Sequence, residues 1–526
     1  MSDSGSFSYD EMPYTDTAFS QTHPDRLAAL ASLCGIAAPA VESSRVLELG
    51  CASGGNLIPM ALTLPGATFL GIDLSAKQVE LGQEKIQSLN LKNIELRHTS
   101  ITDVDASFGK FDYILCHGVY SWVPEAVREK ILAICSENLS PLGIAYVSYN
   151  TLPGWHLMGM VRDMMIYHSA RFEGPATKVH QARALLDFLA QSTPPNTPYG
   201  MMLNNVLNTI RPQMDTYIFH EYLEDVNEPV YFHQFAKAAA RHGLQYLTEA
   251  DFGASVLNNL PPEVAETLRR IAADFLQVEQ YMDFVRHRRF RQSLLTHHDT
   301  PVTRSLEGDV LSGLYIASAA KPMSPKPSLA QGTAERFQLR TGATAKFSNA
   351  VTKAAFVILA EHWPRLVPFE QLCAMTTARL GNDAQSGDKS QSEQIRVTLR
   401  KDMLQCYAEG IVELGTSSPQ MSTTPSARPT ASPLARLQAE RGRSVTNLRH
   451  ESVGLDDFSR RLIRLLDGTR DRDALLAALE THIAVAGIKL GRGDKSATTR
   501  SIDEKNLRPL LDEGLSKLAA AALLVD

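Results

Sequence analysis

Arg45-Val46-Leu47-Glu48-Leu49-Gly50-Cys51-Ala52-Ser53-Gly54-Gly55-Asn56 is a short aliphatic run, then a carboxylate, then a turn of small residues that opens a helix. In a parallel α/β sheet such a turn lies at the carboxyl end of the first strand, where ligands bind and backbone N–H groups face the crevice. Two phosphate-binding patterns are absent. Ala52 stands where G-x-G-x-x-G needs its middle glycine, and no Lys follows as G-x-x-x-x-G-K-[ST] requires. Glu48, two residues before Gly50, would also press an anion against a diphosphate in a partly desolvated turn. A cationic ligand fits better.

The segment resembles motif I of the class I, seven-stranded methyltransferases, whose cofactor S-adenosylmethionine carries a positive sulfonium and a positive amino group. On that resemblance Glu48, Gly50 and Asn56 belong to the cofactor site. Thr68-Phe69-Leu70-Gly71-Ile72-Asp73 reads as a second buried strand ending in a carboxylate about 20 residues on, where an acid bonds both ribose hydroxyls. Asp73 also reads as the N-cap of the next helix, and both roles hold if Ser75 does the capping. Leu74 accompanies Asp73 at the cofactor. Ile94-Glu95-Leu96-Arg97 is the third strand, and in the resembling family the residues after it flank the adenine; Ser100 and Ile101 hold that place. Phe111 to His117 is the fourth strand, whose end, with His117 and Gly118, faces the methyl group.

The loop His117-Gly118-Val119-Tyr120-Ser121-Trp122-Val123-Pro124 brings an imidazole, two aromatic rings and a hydroxyl together where acceptor chemistry is expected. The alternative is a loop packed by its aromatics under the helix that Pro124 starts. Gly143 to Tyr149 is the fifth strand, which completes an α/β doubly wound pattern. Tyr149-Asn150-Thr151-Leu152-Pro153-Gly154-Trp155-His156 then sets a Pro-Gly turn between an amide and an aromatic pair, a site-lining arrangement. With Tyr9 to Tyr14, Thr22-His23-Pro24-Asp25 and the His117 to Pro124 loop, it resembles a narrower group, bacterial methyltransferases with a methyltransferase regulatory domain. Rickettsial outer-membrane protein lysine methyltransferases are among them.

The resemblance implies an α/β, Rossmann-like seven-stranded methyltransferase sheet, a helical middle region and small α+β, winged-helix-like C-terminal domains. The expected division is a core over 1–255 with a helical insertion near 155–215, a helical regulatory region and linker over 256–334, a winged-helix-like domain over 335–414 and a small domain over 434–526. The cofactor is S-adenosylmethionine, with Tyr14 and His23 of the leader as further candidates to line its site. The expected acceptor is a lysine side chain of a protein. A lysine amine, with an ordinary pKa near 10.4, must lose its proton before it attacks, and a desolvated aromatic channel disfavours its charged form. Tyr14, Tyr120, Trp122, Tyr149 and Trp155 are candidates to wall that channel. His117, Tyr120, Tyr149, Asn150 and Trp155 are the candidate catalytic residues, with His117 able to accept the proton directly or through water. No metal is required.

The remaining features set bounds. A chain of 526 residues, 44% hydrophobic and 21% charged, is too long for one core. Its apolar runs fall short of a membrane span and its N-terminus lacks a secretory pattern, so a cytoplasmic protein is expected. Six scattered cysteines form no C-x-x-C pair and read as buried free thiols. Residues 1–150 hold 9 Lys and Arg against 17 Asp and Glu, which disfavours nucleic acid and tolerates a cationic substrate. A homodimer is among the expected partners. Asp215 to Tyr222 reads as a strand, Phe232 to His242 as a helix, Leu244 to Leu247 as a strand and Val264 to Leu295 as helical. The run Arg286, His287, Arg288, Arg289 and Arg291 reads as a solvated helix face, with an acidic partner or a nucleic acid as the sharper alternative. Lys321 to Ser328 reads as a linker and Gly381 to Glu393 as a loop. Two rival functions stand beside the lysine reading: a small-molecule methyltransferase with regulatory C-terminal domains, and a cofactor-sensing DNA-binding protein.

Overall fold

Val46 to Leu49 and Phe69 to Ile72 are buried almost without interruption, the signature of parallel strands covered on both faces. In the computed structural model, which describes residues 12, 17–304, 306, 309–381, 389–486 and 504–525, they form β1 (Arg45–Leu49) and β2 (Thr68–Asp73). These pair in parallel, Val46 opposite Phe69 and Leu49 opposite Ile72. The sheet continues with β3 (Ile94–His98), β4 (Phe111–Cys116), β5 (Leu139–Asn150), β6 (Leu244–Glu249) and β7 (Phe290–His297) in the order β3-β2-β1-β4-β5-β7-β6. The first five strands are parallel; β7 runs antiparallel to both β5 and β6. Helices follow each early strand, so the carboxyl ends of β1, β2, β4 and β5 share one rim.

The chain divides into two units, one of Met1–Thr17 with Leu30–Ser305 and one of Ala18–Ala29 with Leu306–Asp526. In the first, helices Trp155–Ser169, Pro175–Ser192, Pro198–Ile210 and Asp215–Tyr222 share a core of their own around Trp155, Val161, Val179, Leu207 and Ile218. Asp215 to Tyr222 is thus a helix instead of the expected strand. Its buried residues, Ile218, Phe219 and Tyr222 among them, repeat at helical spacing, which outweighs their β-prone composition.

A second correction concerns the end of the sheet. The expected core stopped at residue 255, and Val264 to Leu295 read as helical. Helices do cover Pro262–Ile271 and Phe275–Arg286, but His287 turns left-handed at φ 49° and ends the second one. The chain then returns as β7 between β5 and β6. Arg291 hid this strand, because a charge stands where alternation calls for an apolar residue. Far from solvent, Arg291 is fully buried, paired with Glu249 at 2.8 Å, Glu279 at 3.0 Å and Asp283 at 2.9 Å, its guanidinium 4.0 Å from the centre of the Phe232 ring. The acidic partner lies within the fold.

In the second unit, β8 (Tyr315–Ala317), β12 (Val367–Pro368) and β13 (Glu413–Gly415) form one small sheet. Another consists of β9 (Lys321–Pro322), β10 (Glu335–Gln338) and β11 (Thr344–Phe347). The expected linker therefore begins as a paired strand. Residues 382–388 of the expected loop lie outside the described residues, and a helix occupies Lys389–Ala408. The C-terminal helices Pro433–Arg441, Asp457–Leu465, Arg472–Ala486 and Glu504–Ala520 close around a leucine-rich core.

The N-terminal piece of this unit is firmly tied. Asp25 Oδ1 accepts from the Thr416 and Ser417 backbone N–H groups at 2.8 and 2.9 Å and from both hydroxyls, while Arg26 and Arg449 share Glu413. Burial alone would push the Glu413 carboxyl up; the two guanidiniums hold it at about 2. All six cysteines are buried free thiols. Among the described residues, no helix is long and apolar enough to cross a membrane.

Candidate active site

The turn after β1 is built from left-handed backbone. Gly50 has φ +74°, Ala52 +46° and Gly54 +74°. A Cβ on Gly50 would come within 2.5 Å of Val119 Cγ2, so the glycine is needed both for its conformation and for close packing against the loop after β4. Asp73, at the end of β2, braces this turn: its Oδ2 accepts from Ala52 N at 2.8 Å and its Oδ1 from Ser75 N at 2.9 Å. Ser75 caps the helix Ala76–Ser88 by accepting from Gln78 N at 3.1 Å. That frees Asp73 from the capping role.

Glu48 lies at the same rim, 3% exposed. Its Oε1 accepts from Asn56 Nδ2 at 2.7 Å, and among the described residues its Oε2 has no hydrogen-bond partner. Burial pushes its carboxyl up to about 8, the Asn56 bond opposing this and the Asp73 charge adding to it. A buried acid with an open oxygen and no counter-ion is what a site for a cation requires. Leu74 stands 53% exposed, an apolar surface beside Asp73. Ser100 caps the short turn Ile101–Asp103, and Ile101 rests half-buried against the sheet core. These residues fit a nucleoside with a positive tail. Tyr14 lies outside the described residues. His23 lies in the second unit, its ring 5.2 Å from that of His450.

At the ends of β4 and β5, His117 Nδ1 bonds the Tyr146 hydroxyl at 2.8 Å and lies 3.4 Å from Ser148 Oγ, which accepts from Gly118 N at 2.8 Å. Burial lowers the His117 imidazole to about 4. A ring that binds a proton so weakly is poorly matched to the general-base role expected for it; it stands here as a neutral hydrogen-bonding group. Tyr146 and Ser148, which orient it, escaped the sequence reading because they look like ordinary strand residues.

Three aromatic candidates are corrected. Tyr120 and Tyr149 are 3% and 1% exposed, and pack with Phe235 inside the sheet core, the Tyr149 and Phe235 rings stacked at 4.1 Å. The Tyr149 hydroxyl turns to Ser293 at 3.1 Å. Trp155 is 6% exposed within the helical core. Period-two alternation explains the first case: along β5, Tyr146 and Ser148 face His117, so Tyr149 faces away. Trp122 is half-buried in the turn Tyr120–Trp122.

Asn150 stays at the rim. Its N–H donates to Ser121 Oγ at 2.9 Å, its carbonyl accepts from Val230 N at 3.2 Å, and its Nδ2 donates to Asn227 Oδ1 at 3.3 Å. Phe290, across from Asn150 on β7, is 40% exposed and presents an edge-to-face contact to His117 at 6.1 Å. Asn227 and Phe290 were absent from the sequence reading, since each comes from a segment far from the motifs.

A methyltransferase domain model matches residues 46–143, a predicted methyltransferase regulatory domain matches 214–297, and a PKMT C-terminal winged helix domain matches 427–523. Together with the sheet order and the rim just described, they define an S-adenosylmethionine-dependent methyltransferase. An uncharacterized protein of Rickettsia prowazekii (strain Madrid E) is 37% identical over 525 residues, 98% of this chain and 93% of that one. The solved structure of PKMT2 from Rickettsia typhi in complex with AdoHcy is 33% identical and covers 98% of this chain and 100% of its own, with a TM-score of 0.87. The chain belongs to this PKMT family of methyltransferases, with its regulatory domain and C-terminal winged helix.

Proposed function

We propose that the enzyme methylates lysine side chains of a protein substrate. The observation that carries this reading is the likeness to PKMT2, a name that denotes a protein lysine methyltransferase, over 98% of this chain and 100% of that one, with the winged helix included. S-adenosylmethionine, when bound, supplies a methyl group activated by its sulfonium. On this reading Glu48 and Asn56 face the positive tail, Gly50 and Gly118 allow close approach, Asp73 takes the ribose, and Leu74, Ser100 and Ile101 flank the base. Buried Glu48 then gains a positive partner, which favours its ionised form. The chain's own task at the acceptor is alignment and exclusion of water, worth several kcal/mol through proximity. Neutral His117 and half-exposed Phe290 make the rim a place where an ammonium sheds its proton more readily than in water.

The test is mass spectrometry of a bacterial lysate incubated with the purified enzyme and isotopically labelled S-adenosylmethionine. Label on lysines of a few proteins, lost in Asp73→Ala, is expected. Label confined to a metabolite would keep the cofactor and replace the acceptor.

A further inference from the structure

Asn150 is held more completely than packing requires. Ser121, from the loop after β4, takes its N–H; Val230, from the segment before the helix Phe232–Arg241, takes its carbonyl; and Asn227 takes its side-chain N–H. The residue is 3% exposed, yet among the described residues its remaining polar atom, Oδ1, makes no hydrogen bond. The grip on Asn227 is itself secured, because Glu228 N donates to Ser121 O at 2.8 Å and the Glu228 carboxylate pairs with Arg128. Among the described residues Asn227 Nδ2 is a buried donor with no partner, an expense that packed amides ordinarily avoid. One amide thus fixes the other, and the other keeps an open acceptor at the rim where β4 and β5 end.

We infer that Asn227 is a positioning residue: it orients Asn150 so that the Asn150 side-chain carbonyl accepts a hydrogen bond from the nitrogen that receives the methyl group. The inference rests on the amine-acceptor reading above. Its chemical sense lies in the choice of an amide. A carboxylate in that place would hold the acceptor as an ammonium, raising its pKa and withholding its lone pair. A neutral carbonyl directs an N–H and leaves the lone pair available. Asn227 belongs to the segment matched by the regulatory-domain model, so that domain completes the acceptor half of the site instead of standing apart from it.

The test uses the full-length enzyme, tritiated S-adenosylmethionine and the proteins of a bacterial lysate as acceptor. Affinity for S-adenosylhomocysteine and the thermal midpoint report on folding. Asn227→Asp keeps an acceptor for Asn150 Nδ2 and should stay within about threefold of the wild-type rate, whereas Asn227→Leu should fall about 30- to 100-fold through misalignment, with S-adenosylhomocysteine affinity unchanged. Asn150→Asp should move the rising limb of the pH–rate profile to higher pH, which loss of a merely structural amide would not do. A wild-type rate in Asn227→Leu, or equal losses in Asn227→Asp and Asn227→Leu, overturns the proposal while leaving lysine methylation intact. Should the wild-type enzyme label an acceptor other than lysine, the lysine reading fails separately. The same three variants are then compared on that acceptor: an acceptor without N–H overturns this proposal, and a nitrogen acceptor showing the same ratio of rates supports it.

Discussion

At the end of β1 a carboxylate is buried with one amide beside it; at the other side of the same sheet three carboxylates are buried around one guanidinium. Glu48 has Asn56 and an open oxygen, whereas Glu249, Glu279 and Asp283 converge on Arg291, with Arg288 reaching Asp283 at 3.3 Å. Burial opposes ionisation in both places. Near Arg291 it is overcome for Glu249, whose carboxyl is lowered despite burial by Arg291 and Arg288. At Glu48 nothing among the described residues overcomes it. The two places separate carboxylates that the fold gives a cation from one to which, among the described residues, it gives only an amide.

The largest effect expected along this contrast comes from Arg291→Met, which leaves three acids without their central cation. A loss of about 3–5 kcal/mol is expected, as for other broken buried pairs, read as a lower unfolding midpoint. Unchanged stability would mean that the cluster takes up protons at no cost. Next comes Glu48→Gln. Below about 8 the wild-type carboxyl is protonated, so the affinity for S-adenosylmethionine should strengthen as pH rises through that value. The variant should show no such rise and should bind about 10- to 100-fold more weakly at pH 9, the worth of a hydrogen bond to a charged group, while matching the wild type at pH 6. Without cofactor the sign reverses. A carboxyl raised in the folded state lends its full stability below the ordinary 4.5 and loses it as pH climbs to about 8, so ligand-free Glu48→Gln should unfold later than the wild type at pH 9. Calorimetry at the two pH values checks both statements. The smallest effect is expected for Glu279→Gln. Burial raises this carboxyl and among the described residues its Oε1 lacks a hydrogen bond, so a neutral isostere should change stability by no more than about 1 kcal/mol.

The same contrast marks how far the sequence could be read. The turn after Glu48 is local: strand, acid, small residues and helix follow one another within twelve positions, and Asp73 lies one βα unit further on. Contiguity made the turn and its Asp73 brace legible, down to Ser75 as the cap. The rim at the ends of β4 and β5 is assembled across distance. Asn227 meets Asn150 from 77 residues away, and β7 inserts between β5 and β6 after two helices. Neither has a periodicity that announces it, and Arg291 contradicts the apolar pattern by which a buried strand is found. Aromatic residues misled for the opposite reason. Tyr149 and Trp155 belong to the most recognisable loop, yet the alternation of β5 and the helical core claim their rings for packing.

The clamp on Asp25 and Arg26 has a consequence for synthesis. Their partners Thr416 and Glu413 lie 391 and 387 residues further along the chain. At the usual pace of about 5–20 residues per second, a ribosome needs roughly 20–80 s to supply them. For all of that time the emerging N-terminal segment exists without the groups that receive its carboxylate and guanidinium, and it must neither aggregate nor settle elsewhere. The first turn of the helix Pro24–Leu33 is therefore made long before the residues that complete it.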